Sequence, residues 1–485
     1  MLEKKSCYEA YKAKDARFDG RFFIGISTTG IYCRPVCRAK QAKPENCTFY
    51  QTAAEAEQAG YRPCLLCRPE LAPGNARVDS CSTLAHRAAR RLEETCGSGG
   101  SLAELAKSLG CTDRHLRRAF MEKYHVPPVQ YLQTCRLLLA KNLLTDTKLT
   151  VLEIAMAAGF GSLRRFNDVF KKHYHLSPAA LRKKIPEERA KSSTITLALG
   201  YRPPYRFEEM LNFLSGRTIP GVELVQSGKY WRTVRLMDAR GRQVCGWICV
   251  GHQPQKNVLC VTVSEALLPV LPQVFAKVRH LFDLHCDPSA IYETLSTMNA
   301  IRPELCALGT RLPGCFDAFE MAVRAVLGQQ ITVKAARTLA ARLVAAYGMP
   351  VQTDIPGLTH VFPSPEEIGA LQEPIENHLG PLGVIATRAR AIGKLAQALT
   401  QEEMKLDLCA DPEEEIKKMM NIPGIGSWTA RYIAMRAMGW PDIFLETDVA
   451  IKKALAPRTQ KEMLLLAETW RPWRSYATIN LWNSL

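Results

Sequence analysis

Met420-Asn-Ile-Pro-Gly424-Ile-Gly426-Ser-Trp428-Thr-Ala-Arg-Tyr432 is the stretch whose reading decides the fold of the second half of this 485-residue chain. A helix ends, Pro423 to Gly426 make a tight turn, and Ser427 can cap the next helix. Gly424 and Gly426 let backbone N–H groups approach a phosphate closely without touching a base. A plain interhelical turn is the other reading of the same residues. Trp428 and Tyr432 are four apart and share a helix face. Twenty-two residues beyond Gly426 comes Asp448, in Phe444-Leu-Glu-Thr-Asp448-Val-Ala-Ile-Lys-Lys453. Thr447 reads as an N-cap, so Asp448 is expected in the first turn of a helix, where the dipole favours its ionised form. On pattern alone such an Asp is helix-start decoration as readily as a catalyst.

Outward from the hairpin, residues from about 311 onward read as helical and 194–300 as mixed structure. The latter carry strand-like runs Thr233–Met237, Gln243–Val250 and Val258–Val263 and a helix near Leu271–Phe282. Cys245, Cys249, Cys260, Cys286, Cys306, Cys315 and Cys409 have no ligand-like spacing and read as packing thiols. No closely spaced quartet of the kind that holds an iron–sulfur cluster occurs in this half.

The first half differs in charge. Of the 64 Lys+Arg and 47 Asp+Glu, residues 1–193 hold 33 and 19, a net of +14, whereas 194–485 hold 31 and 28, a net of +3. The change falls at Lys183-Lys184-Ile-Pro-Glu-Glu-Arg-Ala-Lys-Ser-Ser193, a polar, Pro-containing stretch with linker composition. A basic first half suggests a polyanion as partner. No run approaches the roughly 18 apolar residues of a membrane span. The beginning of the sequence carries no secretory apolar stretch, which leads to the expectation of a reducing, cytoplasmic compartment and of cysteines that are thiols or metal ligands rather than disulfides.

Four of those cysteines fall as Cys33-x3-Cys37 and, after 26 intervening residues, Cys64-x2-Cys67. Two close pairs can be brought around one tetrahedral ion, expected to be Zn2+. The neighbours Arg34, Arg38, Lys40, Arg62 and Arg68 would offset the charge of four thiolates and face phosphate. A purely structural zinc knuckle has the same spacing. Between 101 and 182 the chain then repeats at 49 to 50 residues: Leu102-Ala-Glu-Leu-Ala106 and Gly110 match Val151-Leu-Glu-Ile-Ala155 and Gly159, and Phe120 matches Phe170. Each copy reads as helix, glycine turn, second helix. The second helices, about Thr112–Lys123 and Ser162–His173, set Leu116/Phe120 and Phe166/Phe170 towards a core. Arg114, Arg117 and Arg118 in one, and Arg164, Arg165, Lys171 and Lys172 in the other, are left on basic faces that suit a DNA groove or plain solvation.

Three resemblances sharpen these patterns. Thr28-Thr-Gly-Ile-Tyr-Cys33-Arg-Pro-Val-Cys37-Arg-Ala-Lys40 with Gly60-Tyr-Arg-Pro-Cys64-x-x-Cys67 resembles the metal-binding domain of the Ada family over about residues 1–75. This implies that Cys33 is both zinc ligand and nucleophile, taking a methyl group irreversibly from a methylated DNA phosphate. Ile154-Ala-x-x-Ala158-Gly-Phe160-x-Ser162-x-x-x-Phe166-x-x-x-Phe170-Lys171 resembles the AraC-type DNA-binding domain, which implies that two helix-turn-helix units read successive major grooves about 34 Å apart. Arg136-Leu-Leu-Leu-Ala140 would belong to the joining helix. Arg311-Leu-Pro-Gly-Cys-Phe-Asp-Ala-Phe-Glu320, Ala325-Val-Leu-Gly-Gln329-Gln330, the hairpin, Asp448 and Trp470-Arg-Pro-Trp-Arg-Ser-Tyr476 resemble the 3-methyladenine DNA glycosylase II family of the helix-hairpin-helix superfamily. Arg202-Pro-Pro-Tyr205 and Leu281-Phe-Asp-Leu284 extend that match over about 194–485. It implies that Asp448 is the catalytic carboxylate, that Trp428, Tyr432 and Trp482 wall the base pocket, and that no metal serves the glycosylase step. Trp428 stands where bifunctional relatives carry a Schiff-base lysine, which implies hydrolysis without strand cleavage. The residue after Gln329 is implied to wedge into the gap left by a flipped base; the relative used for comparison has leucine there and this chain has Gln330.

The fold expected is therefore multidomain α+β. It comprises a small zinc domain (1–75), an all-α double helix-turn-helix (80–185), a linker (186–193), a mixed α/β domain (194–310) and an all-α helix-hairpin-helix glycosylase domain (311–485). The function expected is an alkylbase DNA N-glycosidase acting on alkylated purines such as 3-methyladenine. It is fused to a transcription regulator that senses methylphosphotriesters by a single methyl transfer to Cys33. Arg34, Lys40, Arg62, Arg114, Arg117, Arg118, Arg164, Arg165, Gln329, Gln330, Gly424 and Gly426 are the expected DNA contacts. The expected partner is double-stranded DNA, alkylated and promoter, with RNA polymerase a candidate, no membrane, and a monomeric state. A regulator with an inactive glycosylase half and a binding module with only structural zinc are the alternatives. The Pro-Cys-His-Arg motif of a second methyltransferase does not occur in this sequence, so repair of O6-methylguanine is not expected of it.

Overall fold

Phe23–Ile26 (β1), Ile31–Cys33 (β2), Cys47–Tyr50 (β3) and Arg62–Pro63 (β4) form a four-stranded sheet in the order β3-β1-β2-β4. β1 is antiparallel to β2 and β3, and β4 lies parallel to β2 with Ile31 opposite Arg62 and Tyr32 opposite Pro63. The structure is a computed structural model that describes residues 3–74, 84–96, 101–183, 194–407 and 411–485. The stretch 186–193, read as a linker, and Cys409 lie outside the described residues.

The repeat folds as two helix-turn-helix units. Leu102–Ser108 and Asp113–Tyr124 form the first, Val151–Ala157 and Leu163–Tyr174 the second, and the 19-residue helix Pro128–Asp146 joins them. Capping boxes of Ser101 with Glu104 and Thr150 with Glu153 start the first helix of each unit. Gly110 and Gly159 hold φ of 70° and 79° in the turns, a left-handed backbone that suits glycine. Leu116, Phe120, Phe166 and Phe170 are fully buried, as their i,i+4 spacing predicts.

Ile195–Gly200 (β5), Glu223–Gln226 (β6), Lys229–Met237 (β7), Gln243–Gln253 (β8) and Val258–Val263 (β9) make a fully antiparallel sheet in the order β5-β9-β8-β7-β6. The three sequence-predicted strands are its centre, and β5 and β6 are additions. One continuous apolar cluster runs from Leu137 of the joining helix and Phe166 and Phe170 of the second helix-turn-helix unit through Leu197, Ile248 and Val261 of this sheet to Phe282. Cys249, Cys286, Cys306 and Cys315 are buried among apolar neighbours, while Cys245 and Cys260 are half-buried.

Polar contacts fix the units to one another. Glu57 of the helix Ala53–Gln58 accepts from Tyr32 Oη at 3.1 Å and from Thr134 Oγ1 of the joining helix at 2.8 Å. Arg21 pairs with Asp287, and Arg202 donates to Gly74 O at 2.7 Å, so the zinc unit also abuts the mixed domain. Beneath the helical domain, Arg232 reaches Glu320 at 2.8 Å, and Arg324 pairs with Glu223 and, at 2.6 Å, with Glu320. This buried cluster pins the helix Ala318–Leu327, which leads directly into Gln329 and Gln330.

Candidate functional site

The parallel pairing of β2 with β4 explains how distant cysteines meet. Cys33 ends β2 and Cys64 follows β4, so the two pairs arrive side by side. The four sulfurs of Cys33, Cys37, Cys64 and Cys67 lie within 4.8 Å of one another, and among the described residues no other His/Cys/Asp/Glu group converges in this way. Four thiolates around a common centre are a fit for one Zn2+, whose Zn–S bonds of about 2.3 Å need such a cluster. Cys33, Cys37 and Cys64 are buried and Cys67 half-buried.

The surrounding cations divide into two groups. Arg38 and Lys40 are exposed and Arg62 is half-buried. Arg34, expected to face phosphate, instead braces the site: its Nε donates to Asp19 Oδ1 at 2.8 Å, its Nη1 to Cys67 O at 3.0 Å, and its backbone N–H to Cys67 Sγ at 3.3 Å. Arg68 turns to the joining helix, meeting Asp146 at 2.7 Å and Asn142 Oδ1 at 2.6 Å. Both side chains point to carboxylates because those are the nearest partners for a partly buried guanidinium.

Both recognition helices begin where expected. Thr112 accepts from His115 N at 3.3 Å and Ser162 from Arg165 N at 3.2 Å. Arg114, Arg117, Arg118, Arg164, Arg165, Lys171 and Lys172 are all exposed. The two faces are not equivalent: Arg117 is paired with Asp113 at 2.9 Å, and Arg118 approaches His115.

In the C-terminal half, the helices Pro412–Met420 and Ser427–Arg436 flank the hairpin. Ser427 is the first helical residue and Gly426 the cap, so the side-chain cap expected of Ser427 does not form. Gly424 holds φ of 96°, and a Cβ there would meet Thr387 O at 3.1 Å, so a side chain would be strained in its backbone and tightly packed. Open space faces Gly426, where a ligand can approach the backbone. Gln329 Nε2 donates to Gly424 O at 2.8 Å and to Thr429 Oγ1 at 3.0 Å, tying the preceding turn to the hairpin.

Asp448 is itself the N-cap of Val449–Ala454, a role expected of Thr447, which is exposed. Its Oδ1 accepts from Ala450 N at 3.0 Å, Ile451 N at 3.1 Å and Trp482 Nε1 at 3.1 Å, while Oδ2 accepts from Trp428 Nε1 at 3.2 Å. Oδ1 is therefore crowded with donors and Oδ2 keeps lone-pair capacity for an incoming group. Trp428 and Tyr432 stack at 5.0 Å, and Tyr432 meets Trp482 edge-on at 6.1 Å. Phe213, from the helix Phe207–Ser215 of the mixed domain, stacks on Trp482 at 6.5 Å. No local spacing in the sequence points to Phe213, because its partner lies in another domain. Arg217 sits over the Phe213 ring at 3.8 Å and Arg436 over the same ring at 4.8 Å. Burial pushes the Arg217 guanidinium below its ordinary pKa. Trp428, Tyr432, Trp482, Arg217 and Arg436 line one cleft of about 1520 Å³ together with Gln329, Gln330, Gly424, Gly426 and Asp448, and Phe213 backs Trp482 from behind that lining. Aromatic planes beside a fixed carboxylate can hold a flat cationic ring and stabilise positive charge that develops next to it.

Four domain families match along the chain: the metal binding domain of Ada (6–70), a helix-turn-helix domain (105–184), the AlkA N-terminal domain (196–317) and the HhH-GPD superfamily of base excision DNA repair proteins (323–463). A probable bifunctional transcriptional activator/DNA repair enzyme AlkA of Mycobacterium tuberculosis is 37% identical over 99% of this chain and 96% of its own length. DNA-3-methyladenine glycosylase 2 of Escherichia coli is 36% identical over 59% of this chain and 95% of its own. The bifunctional transcriptional activator/DNA repair enzyme Ada of the same organism is 36% identical over 28% of this chain and 38% of its own.

Proposed function

The chain belongs to the family of bifunctional AlkA-type transcriptional activator/DNA repair enzymes, and from that premise we propose that it couples excision of alkylated purines to regulation by methylated DNA. The observation that carries the enzymatic half is Asp448, held by four N–H donors on the wall of an aromatic cleft.

The chemistry follows from the residue types. A purine alkylated on a ring nitrogen is cationic, stacks well on Trp428, Tyr432 and Trp482, and leaves as a neutral base without a strong general acid. As the C1′–N bond breaks, its electron pair goes to the departing ring. The positive charge that develops on the sugar is stabilised by the Asp448 carboxylate, and water adds at C1′ with its proton passing to Oδ2 or to solvent. Trp428 offers no amine for a Schiff base, so the product is an abasic site in an intact strand. Glycosylase-side DNA contacts at Gln329, Gln330, Gly424 and Gly426 belong to this reading.

At the other end, Cys33, Cys37, Cys64 and Cys67 would hold Zn2+, which when bound would keep their thiolates deprotonated at neutral pH. The Cys33 sulfur attacks the methyl carbon of a methylphosphotriester in line; the S–C bond forms, the C–O bond breaks, and the phosphate leaves as a diester anion. With zinc held by the four cysteines, this transfer would take the charge of the site from about −2 to about −1 and so weaken repulsion from DNA phosphates. Lys40 and Arg62 with the recognition-helix arginines hold that DNA. RNA polymerase is the partner through which such binding would act, and the chain works as a monomer.

The deciding experiment incubates the protein with alkylated duplex DNA and identifies released bases by chromatography. Free 3-methyladenine and unbroken strands are expected; no released base would leave only the regulatory half. Mass spectrometry of the Cys33 peptide after exposure to methylphosphotriester DNA is expected to show one added methyl group, and an unmodified peptide would reduce the zinc to a structural role.

A further inference from the structure

The helix Ser427–Arg436 gives the Asp448 cleft an axis. Trp428, Tyr432 and Arg436 are spaced by four, share one face and all line the cleft, descending over roughly 12 Å from half-buried Trp428 to buried Arg436. Trp428 Nε1 reaches Asp448 at 3.2 Å, so the carboxylate lies at one end of this axis. Arg436 lies at the other, and Arg217 joins it there, both guanidiniums standing over the Phe213 ring. Arg232 and Arg324 line the same cleft but are paired with Glu320 and Glu223. Neither Arg217 nor Arg436 is paired with a carboxylate among the described residues.

These two cations differ in what they have left to give. Arg436 donates to Pro313 O at 2.5 Å, Gly314 O at 3.0 Å and Tyr432 Oη at 2.7 Å. Arg217 gives Nη1 to Phe213 O at 3.0 Å and lies beside the Tyr432 hydroxyl, and a guanidinium holds more N–H groups than these contacts use. It is also fixed in place: Arg324 Nη1 donates to the Arg217 carbonyl at 2.7 Å, and the Phe213 ring lies 3.8 Å from the guanidinium. Keeping a largely buried cation without a counter-ion is costly, and the cleft is where a partner for it can arrive.

A purine held between the aromatic walls with N9 towards Asp448 turns its position 6 towards the far end. We propose that Arg217 reads that edge of the extruded base by donating to an exocyclic carbonyl, and so favours damaged guanines over damaged adenines, whose amino group at the same place is a donor. This rests on the base-excision reading above. The contact strengthens as the reaction proceeds. When the C1′–N9 bond breaks, its electron pair enters the ring and part of that density reaches the carbonyl oxygen, so a hydrogen bond from a cation is stronger in the transition state than in the bound substrate. Positive charge meanwhile leaves a ring flanked by two guanidiniums and appears on the sugar beside Asp448, which is downhill at both ends. Arg217 gives up no proton in this step.

The test uses full-length wild type, Arg217→Met and Arg217→Lys in excess over duplex DNA treated with dimethyl sulfate, which carries 3-methyladenine and 3-methylguanine together. Both lesions are alkylated at the same nitrogen and both rings are cationic, but only the guanine has a carbonyl at position 6. Single-turnover release of the two bases is followed by chromatography of the same samples, so any loss of active protein cancels in their ratio. The guanine-over-adenine rate ratio is expected to fall about tenfold or more in the methionine variant, from loss of a charged hydrogen bond. Lysine keeps the charge without the planar fork and is expected to fall between the two. If the methionine variant releases neither base, the lysine variant decides against wild type by the same rule. A ratio equal to that of wild type overturns the proposal and leaves the glycosylase reading intact. Release of neither base by wild type overturns that reading, and this inference with it.

Discussion

Trp482 Nε1 donates to Asp448 Oδ1 at 3.1 Å, and Trp428 Nε1 donates to Oδ2 of the same carboxylate at 3.2 Å. Two aromatic residues read from sequence only as pocket walls are therefore also the orienting donors of the candidate catalytic group. A carboxylate fixed from both oxygens needs no reorganisation when charge appears beside it.

Asp448→Asn separates catalysis from capping. Asparagine caps a helix about as well as aspartate, so the thermal midpoint is expected to move little. The neutral amide cannot stabilise a cationic sugar, and excision of alkylated purines is expected to fall by about 10²–10³-fold. Undiminished excision would remove Asp448 from the mechanism.

Trp482→Phe keeps an aromatic face towards Tyr432 and Phe213 but deletes the N–H that reaches Asp448. A hydrogen bond to a charged group contributes about 1.5–3 kcal/mol, so kcat is expected to drop roughly tenfold or more while KM changes little. A rise in KM with kcat unchanged would show that Trp482 acts only as a stacking wall.

The two recognition helices differ in how free their cations are. Arg165 is exposed with no carboxylate partner among the described residues, whereas Arg117 is paired with Asp113 at 2.9 Å. Arg165→Ala is expected to lower the salt dependence of DNA binding by about one phosphate contact, and Arg117→Ala by less. Binding measured across a range of KCl checks this, and equal slopes for both variants would count against it.

What was legible in the sequence is what depends on neighbours along the chain. The caps Thr112 and Ser162, the buried pairs Leu116/Phe120 and Phe166/Phe170, and the central strands all follow from local spacing. Caps at the candidate site differ from the sequence reading by one residue, Asp448 in place of Thr447 and Gly426 in place of Ser427, because every candidate there is able to cap and only tertiary position selects one. Arg34 and Arg68 looked like phosphate contacts since a cation's partner is invisible in sequence; Asp146 lies 78 residues from Arg68. Phe213 is invisible to sequence reasoning for the same reason, its place against Trp482 being set by packing between domains.

Glu57 offers a pH test of how the zinc unit is docked on the joining helix. Burial pushes its carboxyl from the ordinary 4.5 up to about 8, although the Thr134 and Tyr32 hydroxyls and the Lys141 ammonium oppose the shift. His173, whose Nδ1 lies 3.9 Å from Glu57 Oε2, is itself held below its usual pKa by burial and supplies little charge near neutrality. Between pH 4.5 and 8 the folded protein keeps a proton that the unfolded chain has released, so stability must fall as pH rises through this window. Glu57→Gln carries no such proton. Its thermal midpoint relative to wild type is expected to climb from pH 5 to pH 9, by an amount on the order of a few kcal/mol in stability. Comparing the two proteins at each pH cancels the titration of groups that do not face Glu57. A difference that stays flat across the range would mean that Glu57 is already ionised in the folded state, and that Lys141 rather than a retained proton holds it at the interface.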